Sequence, residues 1–189
     1  SQCPSRHSRR SSPHPRSSSD LPLAAVVYPV AAMSGNLGPK MQEGDRQAPE
    51  GFYFVPPSRM NPNSRFHLSF NLGYPNKLDR AWGRTGSALM VHGNEVSIGC
   101  FAMTDSKVEE IYALTEAALR NGQKFFRVHV FPFRMTERRM NEARSDQWYS
   151  FWKNLQEQIR NGFVLDVFPY RRAKRFDRGK GSVLEVFSD

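Results

Sequence analysis

Cysteine is almost missing from this chain. Cys3 and Cys100 are the two in 189 residues, which excludes the disulfide framework of a small secreted scaffold. No apolar run approaches the roughly 20 residues that a membrane-spanning helix needs. Leu21 to Met33 is apolar and follows an Arg-rich start, a loose imitation of an export signal, but Pro22 and Pro29 interrupt it and the polar part ahead of it is long. A strand is the better reading. Paired short spacings of Cys or His, the signature of a structural zinc site, are also missing, so no metal and no other cofactor is expected. Gly83-Arg84-Thr85-Gly86 lacks the Lys-Ser/Thr ending and the strand-to-helix setting of a phosphate-binding loop. Neither an internal repeat nor a regular strand-helix-strand alternation is visible.

What is present is aromatic and basic. Fourteen phenylalanines and an apolar share of 39% fit one globular domain with tails. The formal charge of +9 suggests an anionic partner. Much of it sits at the ends, in Arg6, Arg9, Arg10 and Arg16 and in Arg171, Arg172, Lys174, Arg175 and Arg178, where solvated tails explain it equally well. Nucleic acid is not an expected partner, because no recognition motif is visible and the aromatic strands are accounted for as core.

Residues 1–20 are rich in Ser, Arg, Pro and His without periodicity and are expected to be disordered. The folded domain is placed at 21–160, with a basic tail over 161–189. Ala24 to Ala32 and Gly51 to Val55 read as strands, and Asn61-Pro62-Asn63-Ser64 as a turn. Phe66 to Leu72 alternates with the period of a half-buried strand and leaves His67 on the polar face. Gly73 to Ser87 reads as a loop, and Ala88 to Val91 as a short buried strand ending at His92. A helix follows, with Ser106 and Glu109 as a capping box, Val108, Ile111, Tyr112, Leu114, Ala118 and Leu119 on its apolar face, and Gly122 at its end. Phe125 to Phe131 is a further strand. Ser145 opens a second helix whose stripe of Trp148, Phe151, Trp152, Leu155 and Ile159 reads as packing, and Phe163 to Phe168 is a last strand. The order gives an α+β, β-rich domain.

Leu89 to Asp105 carries the chemistry. A thiol is nucleophilic as the thiolate, and a nearby imidazole or helix N-terminus lowers its pKa. His92 and a helix after Cys100 are placed to supply both. Gly93 and Gly99 allow backbone amides to approach a reacting carbonyl oxygen. A structural cysteine or a metal ligand remains open on spacing alone, with His67, His92, His129 and Cys100 as the residues that would have to converge. His67 and His129 read as polar-face or satisfied core histidines, with orienting His92 or binding substrate as the sharper alternative.

Several long motifs in order accompany this pair: Ser34-Gly35-Asn36-Leu37-Gly38-Pro39-Lys40, Glu43-Gly44-Asp45, Ala48-Pro49-Glu50-Gly51-Phe52-Tyr53, Met60-Asn61-Pro62-Asn63-Ser64, Phe66 through Asn76, Asp79-Arg80-Ala81, Gly83 through Ser87, and Leu89 to Asp105. Over roughly Tyr28 to Gln156 the chain resembles the L,D-transpeptidase catalytic domain (YkuD-type) family, and within it an amidase branch. The resemblance implies a mixed sheet or β-sandwich with helices. It makes Cys100 the nucleophile and His92 the base, with Ser97 and Gly99 on the cysteine turn and Ile98 where the wider family has histidine. The implied reaction is acyl transfer through a thioester at meso-diaminopimelate in a peptidoglycan stem, either hydrolysis of an amide such as that to a lipoprotein lysine or formation of a cross-link. A non-catalytic binder of an anionic polymer is the third reading. Arg84 is expected either to clamp a substrate carboxylate or to brace its loop in an ion pair, Tyr74 and Asn71 to line the groove, and His67 to orient the base. The implied place is the periplasm or cell envelope. The family normally carries two more strands and an export signal ahead of Tyr28, where this chain has its Ser/Arg-rich segment, so the sheet is expected to lack an edge strand.

Overall fold

Period-two patterning along β1 (Gly51–Val55) and β6 (Phe126–Phe131) turns Tyr53, Val55, Phe126, Val128 and Val130 to one side, where all five are buried. The computed structural model describes residues 26–161 and the backbone of 183–187. β1, β6 and β7 (Val183–Phe187) form one antiparallel sheet in the order β1-β6-β7, with Tyr53 opposite Val128. A second sheet has the order β2-β3-β4-β5, from Met60–Ser64, His67–Asn71, Met90–His92 and Phe101–Ala102. Its β4–β5 pair is parallel, and the other two pairs are antiparallel.

The two sheets share one core. Phe70 of β3 meets Phe126 of β6 edge-on at 5.1 Å, and Val91 and Phe101 join them with Val108, Ile111 and Tyr112 of helix α2 (Asp105–Arg120). Phe131, on the opposite face of the first sheet, packs in a second cluster against Phe151, Trp152 and Leu155 of α4 (Tyr149–Arg160) and Met140 of α3 (Glu137–Glu142). Both faces of β6 are therefore covered at its end, where Val130 enters one cluster and Phe131 the other. The architecture is the α+β, β-rich one expected.

Several local expectations are corrected. Asn61 to Ser64 belongs to β2 rather than to a turn. Its register slips between Asn61 and Ser64, and this irregularity, on an outer strand, accommodates Pro62. The strand expected over Ala24 to Ala32 reduces, among the described residues, to one bridge between Ala32 and Ala102, which pairs with β5 on the side away from β4. Within Gly73 to Ser87 lies a short helix α1 (Lys77–Ala81), closed by a capping box in which Asn76 and Asp79 serve each other's amides. Ser106 and Glu109 form no such box. Thr104 holds the N-cap position at φ 67° without a side-chain cap, and Glu109 pairs instead with His67. Helix α3, started by the Thr136 side chain, was not anticipated. The tail after residue 160 contains β7, paired to β6 from Phe131 opposite Val183 to Arg127 opposite Phe187. Phe163 to Phe168 and residues 1–20 lie outside the described residues.

Glu50, at the end of the loop before β1, ties the two clusters together. Its carboxylate accepts from the Gly38 amide at 2.7 Å and from the Trp152 indole at 2.8 Å. Burial pushes its pKa up to about 7, against the lowering effect of those two donors and of Arg84. Between its ordinary 4.5 and about 7 the folded chain keeps a proton that the unfolded chain has lost, so this residue's contribution to stability falls as pH rises through that window. His129, lowered to about 4 by burial and by Arg127, works in the opposite direction up to its ordinary 6.5. The informative quantity is thus a difference. Glu50→Gln should gain stability relative to the parent across the Glu50 window, by up to about 3 kcal/mol, read from urea midpoints at successive pH values. A difference that stays constant with pH would refute the shift.

Candidate active site

Parallel pairing of β4 with β5 sets Val91 beside Phe101 and His92 beside Ala102. Because side chains alternate, Val91 and Phe101 enter the core, and His92 lies on the other face. One step back in the same register, Cys100 comes beside Met90, whose amide donates to Sγ at 3.5 Å. Cys100, just ahead of β5, and His92, at the end of β4, are thus two register positions apart on paired segments. Among the described residues they are not hydrogen-bonded to each other.

Cys100 is half-buried and free, and its thiol leans toward the Ala88 carbonyl at 3.8 Å. Burial pushes the thiol pKa up, opposed by the Met90 amide and the Lys40 charge. The helix dipole expected to lower it is not in place, because β5 intervenes and α2 begins only at Asp105. At rest this is a protonated thiol that needs a base. Ser97 Oγ donates to the Cys100 carbonyl at 2.6 Å and braces the turn. Gly99 takes φ 100°, which disfavours any side chain, and a Cβ there would sit in ordinary contact with the Gln47 carbonyl at 3.4 Å, so the turn lies against the loop before β1.

His92 is buried, with its ring 4.9 Å from that of Phe66. Its Nδ1 lies 2.5 Å from the Gly93 carbonyl oxygen. A carbonyl can only accept, so Nδ1 carries the hydrogen, which leaves Nε2 as the acceptor nitrogen of the Nδ1–H tautomer. That is the tautomer a general base requires. Gly93 is needed for space rather than for an unusual φ, since a Cβ would come within 2.5 Å of Asp105 Oδ1 and 2.8 Å of the Phe66 carbonyl. The Gly93 carbonyl is a member of the site that residue-type reasoning passed over, because main-chain acceptors carry no signal of their own.

The other expected residues divide. His67 is exposed and pairs with Glu109 at 2.6 Å, so it does not orient the His92 ring. Arg84 is a correction. It is buried and bonded to Asp79 at 2.8 Å, with Trp82 and Phe151 over its guanidinium at 4.6 and 4.9 Å. It braces the loop after α1 and cannot meet a substrate. Tyr74 is buried, donating to the Lys40 carbonyl at 3.0 Å, and stands behind the wall of the cavity rather than in it. Asn71 accepts from the Gly73 amide at 2.8 Å and shapes a turn. His67, His92, His129 and Cys100 do not converge on a metal, and no group of three ligand-type side chains does so among the described residues.

An open cavity of ≈190 Å³ adjoins Cys100, lined also by Lys40, Glu43, Arg46, Ser87 and Ile98. Lys40 Nζ is bound by Asp45 and the Gln42 carbonyl. Burial alone would raise Asp45, but the Lys40 bond and the amides of Gln42, Gln47 and Met41 hold it at about 2. This knot makes the loop from Lys40 to Gln47 a fixed wall. Its signal in the sequence is Lys40 together with Glu43-Gly44-Asp45, a cation and two carboxylates within six residues.

Residues 25–130 match the family model described as YkuD, L,D-transpeptidase catalytic domain. Over 145 residues the chain is 43% identical to YafK of Escherichia coli (strain K12), and to the same degree to YafK of Escherichia coli O157:H7, covering 77% of this chain. It spans 56% of the length of those curated relatives. Among solved structures, the helical cell shape determining protein Pgp2 from Campylobacter jejuni is 30% identical over 43% of this chain and 32% of its own, with a TM-score of 0.38. Among the described residues no helix is long and apolar enough to cross a membrane.

Proposed function

Since the chain belongs to the YkuD family of L,D-transpeptidase catalytic domains, we propose that it is a cysteine acyl-transfer enzyme of the cell envelope. It hydrolyses amide bonds at the L-centre of diaminopimelate in peptidoglycan stems, such as a bond to a lipoprotein lysine. The observation that carries this reading is the β4–β5 pairing, with Cys100 just ahead of one strand beside an open cavity and His92 at the end of the other, its Nδ1 held by the Gly93 carbonyl.

In the proposed cycle the Cys100 proton passes to His92 Nε2 as Sγ turns from Ala88 and bonds to the amide carbon. Amides of the Ser97 to Cys100 turn receive the oxyanion. The carbon–nitrogen bond then breaks, and His92 returns the proton to the leaving amine. Water attacks the thioester, His92 accepts its proton, and the carbon–sulfur bond breaks as the thiol is reprotonated. The carboxylic acid leaves.

A tetrapeptide stem amide-linked to lysine is the test substrate, supplied with a second amine acceptor, with products identified by mass spectrometry. The expected result is free lysine and the free acid. Accumulation of the dimer would make the chain a transpeptidase with the same chemistry, and binding without any bond cleavage would make it a non-catalytic module.

A further inference from the structure

Two opposite charges line the Cys100 cavity without neutralising each other. Arg46 is exposed on one wall, and among the described residues its guanidinium has no ion pair or hydrogen bond. Its backbone sits at φ 55°, where glycine is the residue of least cost. A long cationic side chain held there at the mouth of a reactive cavity is a local expense that binding would justify. Its position relative to the sulfur is fixed from two sides. The Ser34 hydroxyl donates to the Arg46 carbonyl at 2.7 Å, and the Arg46–Gln47 peptide lies against Gly99, with Gln47 O 3.4 Å and Arg46 C 3.8 Å from a Cβ built there. Glu43 is fixed as well. Its amide donates to Thr85 Oγ1 at 3.2 Å, and its carboxylate accepts from Ser87 Oγ at 3.1 Å. Lys40, the other cation of the lining, is already committed to Asp45.

A cavity of ≈190 Å³ has room for the end of one amino acid, about six waters' worth. A ligand that satisfies both walls carries a carboxylate and an ammonium on one carbon. We propose that Arg46 and Glu43 form the specificity pocket for a free, zwitterionic α-amino-acid centre on the acyl-donor residue, Arg46 binding its carboxylate in a charge-assisted fork and Glu43 its ammonium. This rests on the acyl-transfer reading and adds the feature by which the donor is chosen. The second centre of diaminopimelate has this chemistry, and a lysine at the same position of the stem has the ammonium alone.

The test compares two lysine-linked stems, one with free diaminopimelate as acyl donor and one with its distal carboxylate amidated. The expected result for the parent is a preference for the free carboxylate, expressed in KM. Arg46→Gln should lower kcat/KM on the free-carboxylate stem about 10- to 100-fold and on the amidated stem much less, with Arg46→Lys recovering part of the loss. Equal losses on both stems, or a parent indifferent to amidation, would overturn the pocket while leaving the Cys100 chemistry standing. Failure of the parent to cleave either stem would overturn the acyl-transfer reading and the pocket with it.

Discussion

Turnover of the lysine-linked stem should drop at least about 10³-fold in Cys100→Ala, because the remaining machinery can bind and polarise the amide but has nothing to form the thioester. The fold should survive this change. Sγ makes two weak contacts, with the Met90 amide and the Ala88 carbonyl, and the side chain lies outside the two buried clusters. Removing a half-buried thiol at the edge of a cavity leaves no sealed void, so the loss should appear in kcat with urea midpoints nearly unmoved. A variant that unfolds, or one that retains turnover, would each point to a structural cysteine.

The second large effect is that of His92→Gln, and it should depend on pH. Loss of a general base costs about 10²- to 10⁴-fold. Here the thiol starts with its pKa raised by burial, so at neutral pH the variant holds almost no thiolate and should sit at the severe end of that range. As pH rises into the alkaline region, Cys100 ionises without help, and the residual rate of His92→Gln should climb while the parent gains much less. Equal pH dependence in the two would show that the imidazole does not take the thiol proton. Gly93→Ala supplies a milder version of the same defect. Its methyl group would collide with Asp105 and the Phe66 carbonyl, shift the carbonyl that fixes the His92 tautomer, and lower kcat.

Much of the scaffold was legible in the chain because its signals are local. Tyr53 and Val55, and Phe126, Val128 and Val130, follow the strand period and are buried as a set, and Val108, Ile111 and Tyr112 follow the helix period onto the same core. The candidate pair was legible as residue types in one short stretch, whereas the parallel pairing of β4 with β5 across so short a connection was not, since parallel strands ordinarily need a longer crossover. The wall of the Cys100 cavity was not legible either. For Arg84 a substrate clamp and a loop-bracing ion pair were equally open on sequence, and only the fold decides for the second by seating Asp79 against it and bringing Phe151, from a distant helix, over it. Arg46 looked like one charge in a polar loop, and its meaning comes from a backbone angle and from the approach of Gly99 across the chain. The capping box assigned to Ser106 and Glu109 failed for a similar reason, since Glu109 is taken by His67 from another strand. Long-range partners, rather than local propensity, decide the fate of charged side chains.

The most direct trial of the whole account is the mass of protein quenched in acid while it processes the lysine-linked stem. It predicts an acyl group of stem mass on the peptide that contains Cys100, absent from Cys100→Ala. Product formed at the parental rate by Cys100→Ala, or the same acyl group found on that variant, would contradict it.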